Sequence, residues 1–224
     1  MIKVERNPTE KSKKAIESLG REKVKNGFYN TPEVNAALKE MFHGKCYICE
    51  NKQITSYQIE HLKPHGQNME LKYDWNNLFL ACAHCNNTKS DKFDPILDCT
   101  KENVEQMIAF RKEGYFGTDE KLVFEMLDSR IETQNTVKLL QEVYYGSTPQ
   151  KKMEATILRR LLRKELIKFK EYVREYGEAE EEEKEDLKCL LHQQLKDSSP
   201  FVAFKRWLIR DHKDAYPELA AYID

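Results

Sequence analysis

Two C-x-x-C pairs, Cys46 with Cys49 and Cys82 with Cys85, bracket an Ile59-Glu60-His61 tripeptide, and Asn86 follows the second pair directly. Each pair has the spacing of a tight knuckle that turns two sulfurs toward one ion, and four sulfurs complete the tetrahedral shell of a structural Zn²⁺. A full shell leaves no position for substrate, so any chemistry must come from residues between and just after the pairs. His61 is the natural proton acceptor near neutral pH. Glu60 is a hard oxygen donor and Asn86 offers a carbonyl oxygen, ligands that suit Mg²⁺ or Mn²⁺ and leave room for phosphate and water. A base for water together with a cation for the charge developing on phosphorus and the leaving oxygen is what phosphodiester hydrolysis requires. Lys63, His65 and Lys89 flank these groups and are candidate phosphate contacts. His84, inside the second knuckle, is expected only to fill its turn.

The elements that must position these residues are legible around them. Thr31-Pro32-Glu33 supplies a capping hydroxyl, a first-turn proline and an early carboxylate ahead of Val34, Leu38, Met41 and Phe42, which predicts a helix from Pro32 to His43. Gly44 stops that helix and delivers the chain into the first knuckle. Tyr57 to Leu62 and Asn77 to Cys82 read as paired strands across a polar loop bearing Pro64 and Gly66, and Ala83 to Asp91 as a helix that starts in the second knuckle. Asp94-Pro95 ends the pattern. Thr100 is expected to cap a helix containing Val104, Met107 and Ile108, and Tyr115 to Met126, with Gly114 and Gly117, to form turns and one strand. From Ile131 the apolar spacing is helical, through Leu139, Leu140, Val143, Leu158, Leu162, Leu166 and Leu191. The expected class is α+β: an N-terminal segment over 1–29, a zinc-stapled catalytic module over 30–95 and a mainly helical region over 96–224.

Composition sets limits on this reading. The 224 residues carry 40% hydrophobic content, ordinary for a globular protein, and no apolar run is long enough for a membrane span or a signal-peptide core, so a cytoplasmic protein that engages no membrane is expected. In a reducing compartment Cys99 and Cys189 are expected to be free thiols. A net charge of −1 is unusual for a protein that grips nucleic acid unaided. The charge is uneven, however: Lys151 to Arg174 is rich in lysine and arginine, and Glu178 to Asp186 is almost wholly acidic. Such blocks are solvated helical faces or a docking surface for a partner.

Ile59-Glu60-His61-Leu62-Lys63-Pro64, Asn77-Leu78 and Cys82-Ala83-His84-Cys85-Asn86-Asn87-Thr88-Lys89 together resemble the HNH endonucleases, with their ββα-metal core. The resemblance implies that His61 is the general base, that Glu60 and Asn86 hold one divalent metal, and that Asn77 orients the His61 loop. Here the third letter of the motif is Asn86, and Glu60 stands where many relatives carry aspartate; were Glu60 not the ligand, Asp74 and Asp91 would be the next candidates. Phe42-His43-Gly44-Lys45-Cys46 and Tyr73-Asp74-Trp75-Asn76-Asn77-Leu78, with the long helical tail, are similar to Septu-type HNH nucleases, including those found beside certain retrons. That resemblance implies an ABC/SMC-like ATPase partner and a nucleic acid substrate, with DNA favoured. An RNase acting on tRNA in a retron-type system, and a non-catalytic zinc-dependent adaptor, are the alternatives.

Overall fold

The computed structural model describes residues 1–114 and 120–223. Its class is α+β. Helix α1 (Glu10–Lys25) opens on a capping box in which the Thr9 hydroxyl accepts from the Ser12 amide and Ser12 returns the bond to Thr9. Helix α2 (Pro32–Met41) starts as expected at Thr31, and ends two residues early because His43 and Gly44 both take positive φ, turning the chain into the first knuckle. Helices α1 and α2 pack together over a shared core.

Strands β1 (Tyr57–His61) and β2 (Leu78–Cys82) form an antiparallel hairpin in which His61 stands opposite Leu78 and Tyr57 opposite Cys82. All of β2 is buried, which explains why Leu78-Phe79-Leu80-Ala81 runs apolar without alternation: α2 packs against the strand, and so does α4 (Ala83–Lys89). Cys82 is the N-cap of α4, and Ser90 at φ 49° ends it. The polar loop between the strands contains helix α3 (Met69–Lys72), capped by Asn68, and a 3-10 turn over Trp75–Asn77.

The expected helix after Thr100 is not formed. A 3-10 turn at Val104–Gln106 leads into strand β3 (Ile108–Glu113), which pairs with β4 (Lys121–Met126). The apolar spacing that suggested a helix also fits a strand whose Phe110 meets Phe124, and the buried pairing decides between them. The strand expected within Tyr115 to Met126 is β4; residues 115–119 lie outside the described residues.

Helices α5 (Ile131–Tyr145), α6 (Pro149–Glu178), α7 (Glu181–Leu195), α8 (Val202–Asp211) and α9 (Pro217–Ile223) complete the described chain. The principal core does not divide at residue 95: Leu139, Leu140, Val143, Leu158, Leu162, Leu166 and Phe204 share it with the hairpin and with α1 and α2. A second, smaller core joins the far end of α6 to α7, α8 and α9 through Phe169, Val173, Leu191, Leu195, Ile209 and Leu219.

The helical region grips both knuckles. Tyr144 donates its hydroxyl proton to the Cys49 carbonyl at 3.0 Å, and the buried Glu50 carboxylate accepts the Ala203 amide at 3.0 Å while Lys45 reaches the Ser199 carbonyl at 2.9 Å. His84 does more than fill its turn. Its Nδ1 lies 2.7 Å from Glu154 Oε2 and its Nε2 donates to the Val143 carbonyl at 2.8 Å, joining the second knuckle to α5 and α6. Removing these partly buried bonds through His84→Ala should cost about 2 kcal/mol, a fall of roughly 4–8 °C in thermal midpoint. Differential scanning fluorimetry against wild type checks this, and an unchanged midpoint would show that the bridge carries no load.

Candidate active site

Cys46, Cys49, Cys82 and Cys85 are all buried, and their sulfurs lie within 4.8 Å of one another. In a tetrahedral shell with Zn–S near 2.3 Å, sulfurs stand roughly 3.8 Å apart. The Cys49 and Cys82 sulfurs are 4.0 Å apart, so the cluster fits a zinc ion with little adjustment. The two knuckles fix the start of α4 against the hairpin, and this juxtaposition assembles the second group of residues.

Glu60, His61, His65 and Asn86 line one open depression of about 540 Å³, in the size range of ligand sites, together with Tyr29 and Ser90. His61 sits at the last position of β1 and is 8% exposed. Its Nε2 is 3.0 Å from the Lys72 carbonyl. A carbonyl only accepts, so Nε2 carries the proton in the neutral ring and Nδ1 keeps the lone pair. Burial holds the His61 pKa below the usual value; the bond to Lys72 opposes this, and the charges of His65, Lys89 and Lys72 add to it. The ring is therefore neutral, with a free acceptor, around pH 7. Tyr29 packs edge-on against it at 4.6 Å and His65 lies 4.5 Å away, ring centre to ring centre.

Asn77, 4% exposed, lies outside the depression's lining. Its side-chain amide donates to the Lys63 carbonyl at 2.9 Å and the Leu71 carbonyl at 3.1 Å, while Oδ1 accepts the Lys63 amide at 2.8 Å. The turn leaving His61 and the segment that presents the Lys72 carbonyl are thus tied to one side chain.

Glu60 is buried, and its Oε1 is 3.0 Å from Lys89 Nζ, which also stands 3.4 Å from Asp94. Burial pushes the Glu60 carboxyl up to about 7 against the pull of Lys89, and raises Asp94 as well. Two carboxylates share one ammonium, so with both ionised the group keeps a negative charge that favours a cation in the depression. Asn86 donates its amide to Gln58 Oε1. Its Oδ1 accepts no hydrogen bond among the described residues and remains available as a ligand. A carboxylate and a carbonyl oxygen are the donors a hard divalent ion takes.

Lys89 was expected at a phosphate; it is instead fully buried, held by Glu60, Asp94 and the His61 carbonyl, and does not face the depression. Lys63 has an exposed side chain and lies outside the depression's lining. Asp74 caps the 3-10 turn through the Asn76 amide, and Asp91 accepts from Ser90. Sequence reading missed Tyr29, Gln58, Asp94 and the Lys72 carbonyl. Asp94 had a visible cue in the turn signal Asp94-Pro95; a backbone carbonyl leaves none.

Residues 46–92 match the HNH endonuclease family. This segment is similar to an HNH endonuclease domain. A relative described as Septu protein PtuB, from Bacillus mycoides (strain KBAB4), is 36% identical over 83 residues, covering 30% of this chain and 28% of that protein. The chain therefore matches less than a third of that relative's length. The matched HNH segment begins at Cys46 and contains both knuckles, the hairpin and α4. Because apparent zinc affinity in small modules is worth about 10–16 kcal/mol, zinc bound here would supply folding energy to this segment. Cys85→Ser should abolish stoichiometric zinc in elemental analysis and unfold the hairpin. Zinc-free protein with a wild-type thermal midpoint would assign the cysteines another role.

Proposed function

We propose that this protein is a metal-dependent HNH endonuclease that hydrolyses phosphodiester bonds of nucleic acid, DNA in preference to RNA, as the nuclease component of an anti-phage defence complex with an ABC/SMC-like ATPase. The observation that carries the reading is His61: its Nε2 proton is committed to the Lys72 carbonyl, which leaves Nδ1 to accept a proton from water beside Glu60 and Asn86. Asn77 acts as the positioning residue for that base through the Lys63 and Leu71 carbonyls. Glu60 and Asn86 would hold one Mg²⁺ or Mn²⁺, which supplies charge stabilisation at phosphorus and the leaving oxygen. Lys89 fixes the Glu60 carboxylate, and His65, which lines the depression beside His61, would contact the phosphate. The four cysteines hold structural zinc and take no part in the reaction. Similarity to Septu protein PtuB supports the defence-complex reading.

Most of the apolar stripes after Ile131 are spent on the core, which narrows the partner surface. On α6, Met153, Ile157 and Ile167 remain 63%, 54% and 61% exposed, interleaved with Arg160 and Lys164. We assign the ATPase contact to this face. No described helix is long and apolar enough to cross a membrane.

His61→Ala should lower cleavage of plasmid DNA by about 10²–10⁴-fold with zinc content intact, since the proton acceptor alone is lost. Glu60→Ala and Asn86→Ala should raise the Mg²⁺ or Mn²⁺ concentration needed for half-maximal rate. Wild-type rates for His61→Ala would sink the assignment, and greater activity on tRNA than on DNA would move the reading to an RNase. For the partner face, Ile157→Asp with Ile167→Asp should abolish co-purification with the ATPase, whereas His61→Ala should retain it. Retained binding by the double variant would place the contact elsewhere.

A further inference from the structure

Val24 and Phe28 stand 89% and 81% exposed at the end of α1 and in the turn after it, where the chain enters the rim of the His61 depression. A lone exposed apolar side chain is ordinary. What distinguishes Phe28 is its place and the firmness with which its backbone is held. The next residue, Tyr29, lies edge-on against the His61 ring at 4.6 Å, and consecutive Cα atoms are only about 3.8 Å apart. Preceding it, the Tyr73 hydroxyl donates to the Gly27 carbonyl at 2.7 Å, Lys72 Nζ reaches Asn26 Oδ1 at 3.0 Å, and the Gly27 amide bonds the Glu22 carbonyl at 2.9 Å. An aromatic ring is thus presented to solvent on an anchored turn, one residue from a side chain that touches the candidate base.

The surroundings favour a nucleobase over an apolar protein face. Lys25, three residues before Phe28, is 67% exposed, with its ammonium 3.6 Å from the Glu22 carboxylate. A planar base next to a phosphate at His61 is within reach of a ring one residue from Tyr29, which packs on His61; a protein interface would need a wider apolar patch.

We propose that Phe28 is a base-stacking platform: an unstacked base flanking the phosphate at His61 lies on the Phe28 ring, in a single strand or a locally opened duplex. This rests on the endonuclease reading of the same site. Stacking of this kind tolerates any base, since each has a π-face. The contact therefore selects opened or single-stranded nucleic acid, not a sequence.

The test uses the full chain carrying His61→Ala, which binds without cutting, and fluorescently labelled single-stranded DNA and RNA oligonucleotides followed by anisotropy. Adding Phe28→Ala should weaken binding about ten-fold, the scale of losing one stacked base, and Phe28→Trp should restore it. In the cleavage-competent chain, Phe28→Ala should raise KM for single-stranded substrate more than it lowers kcat. Equal binding with and without Phe28→Ala, or a Trp variant as weak as the Ala variant, overturns the stacking role and leaves the nuclease reading standing. Absence of binding to either oligonucleotide, together with no cleavage by wild type, overturns both. Unchanged oligonucleotide affinity accompanied by loss of self-association on sedimentation would reassign Phe28 to a protein contact.

Discussion

Four sulfurs held within 4.8 Å of one another in the interior are the constraint on which the rest of the molecule depends. A zinc ion would gather four thiolates this closely, and its binding energy in small modules rivals the whole stability of a typical domain. The cluster connects a turn after α2 to the junction of β2 and α4, segments that share little local structure. With the knuckles closed, α4 is laid against the hairpin and Asn86 is brought to the depression that Glu60 and His61 line. The same closure offers the Cys49 carbonyl, Glu50 and His84 to α5, α6 and α8, so the helical region docks on the knuckles themselves. The metal core and the helical region are coupled parts of one packing arrangement.

Lys89 illustrates how the hairpin tolerates charge in its interior. A buried ammonium is costly unless paired, and this one meets two carboxylates and a backbone carbonyl. It fixes Glu60 in place while leaving the pair of acids short of one positive charge. A lysine facing solvent would have left Glu60 without that anchor and the two buried acids without a counter-charge.

Legibility in the sequence followed the range of the interactions. The knuckles, the start of α2 and the hairpin could be read because spacing, capping and turn residues act within a few positions, and the ββα order then placed Glu60, His61, Asn77 and Asn86. Failures came where distant segments decide. The stretch from Val104 to Ile108 has apolar spacing compatible with a helix, and only pairing with β4 makes its end a strand. Residues 1–29 read only as an N-terminal segment, yet α1 carries a full capping box, and Ser12 standing where Glu or Gln is usual concealed it. Tyr29 reaches His61 from outside the motif, and His84 was misjudged because Glu154 lies seventy positions away.

Helix α3 explains why a loop that looked merely polar matters. The Lys72 carbonyl receives the His61 proton, and the Lys72 ammonium reaches Asn26 in the turn that carries Phe28. Tyr73, the next residue, holds the Gly27 carbonyl of that turn. On its other side Asn77 secures the Leu71 carbonyl and the chain leaving His61. One short helix, capped by Asn68, therefore joins His61 to the turn that carries Phe28. A displacement of α3 would alter the tautomer-fixing bond on His61 and the stance of Phe28 together. Orientation of the His61 ring and presentation of the Phe28 turn are consequently a single structural property, set by hydrogen bonds to backbone carbonyls that no residue type announces.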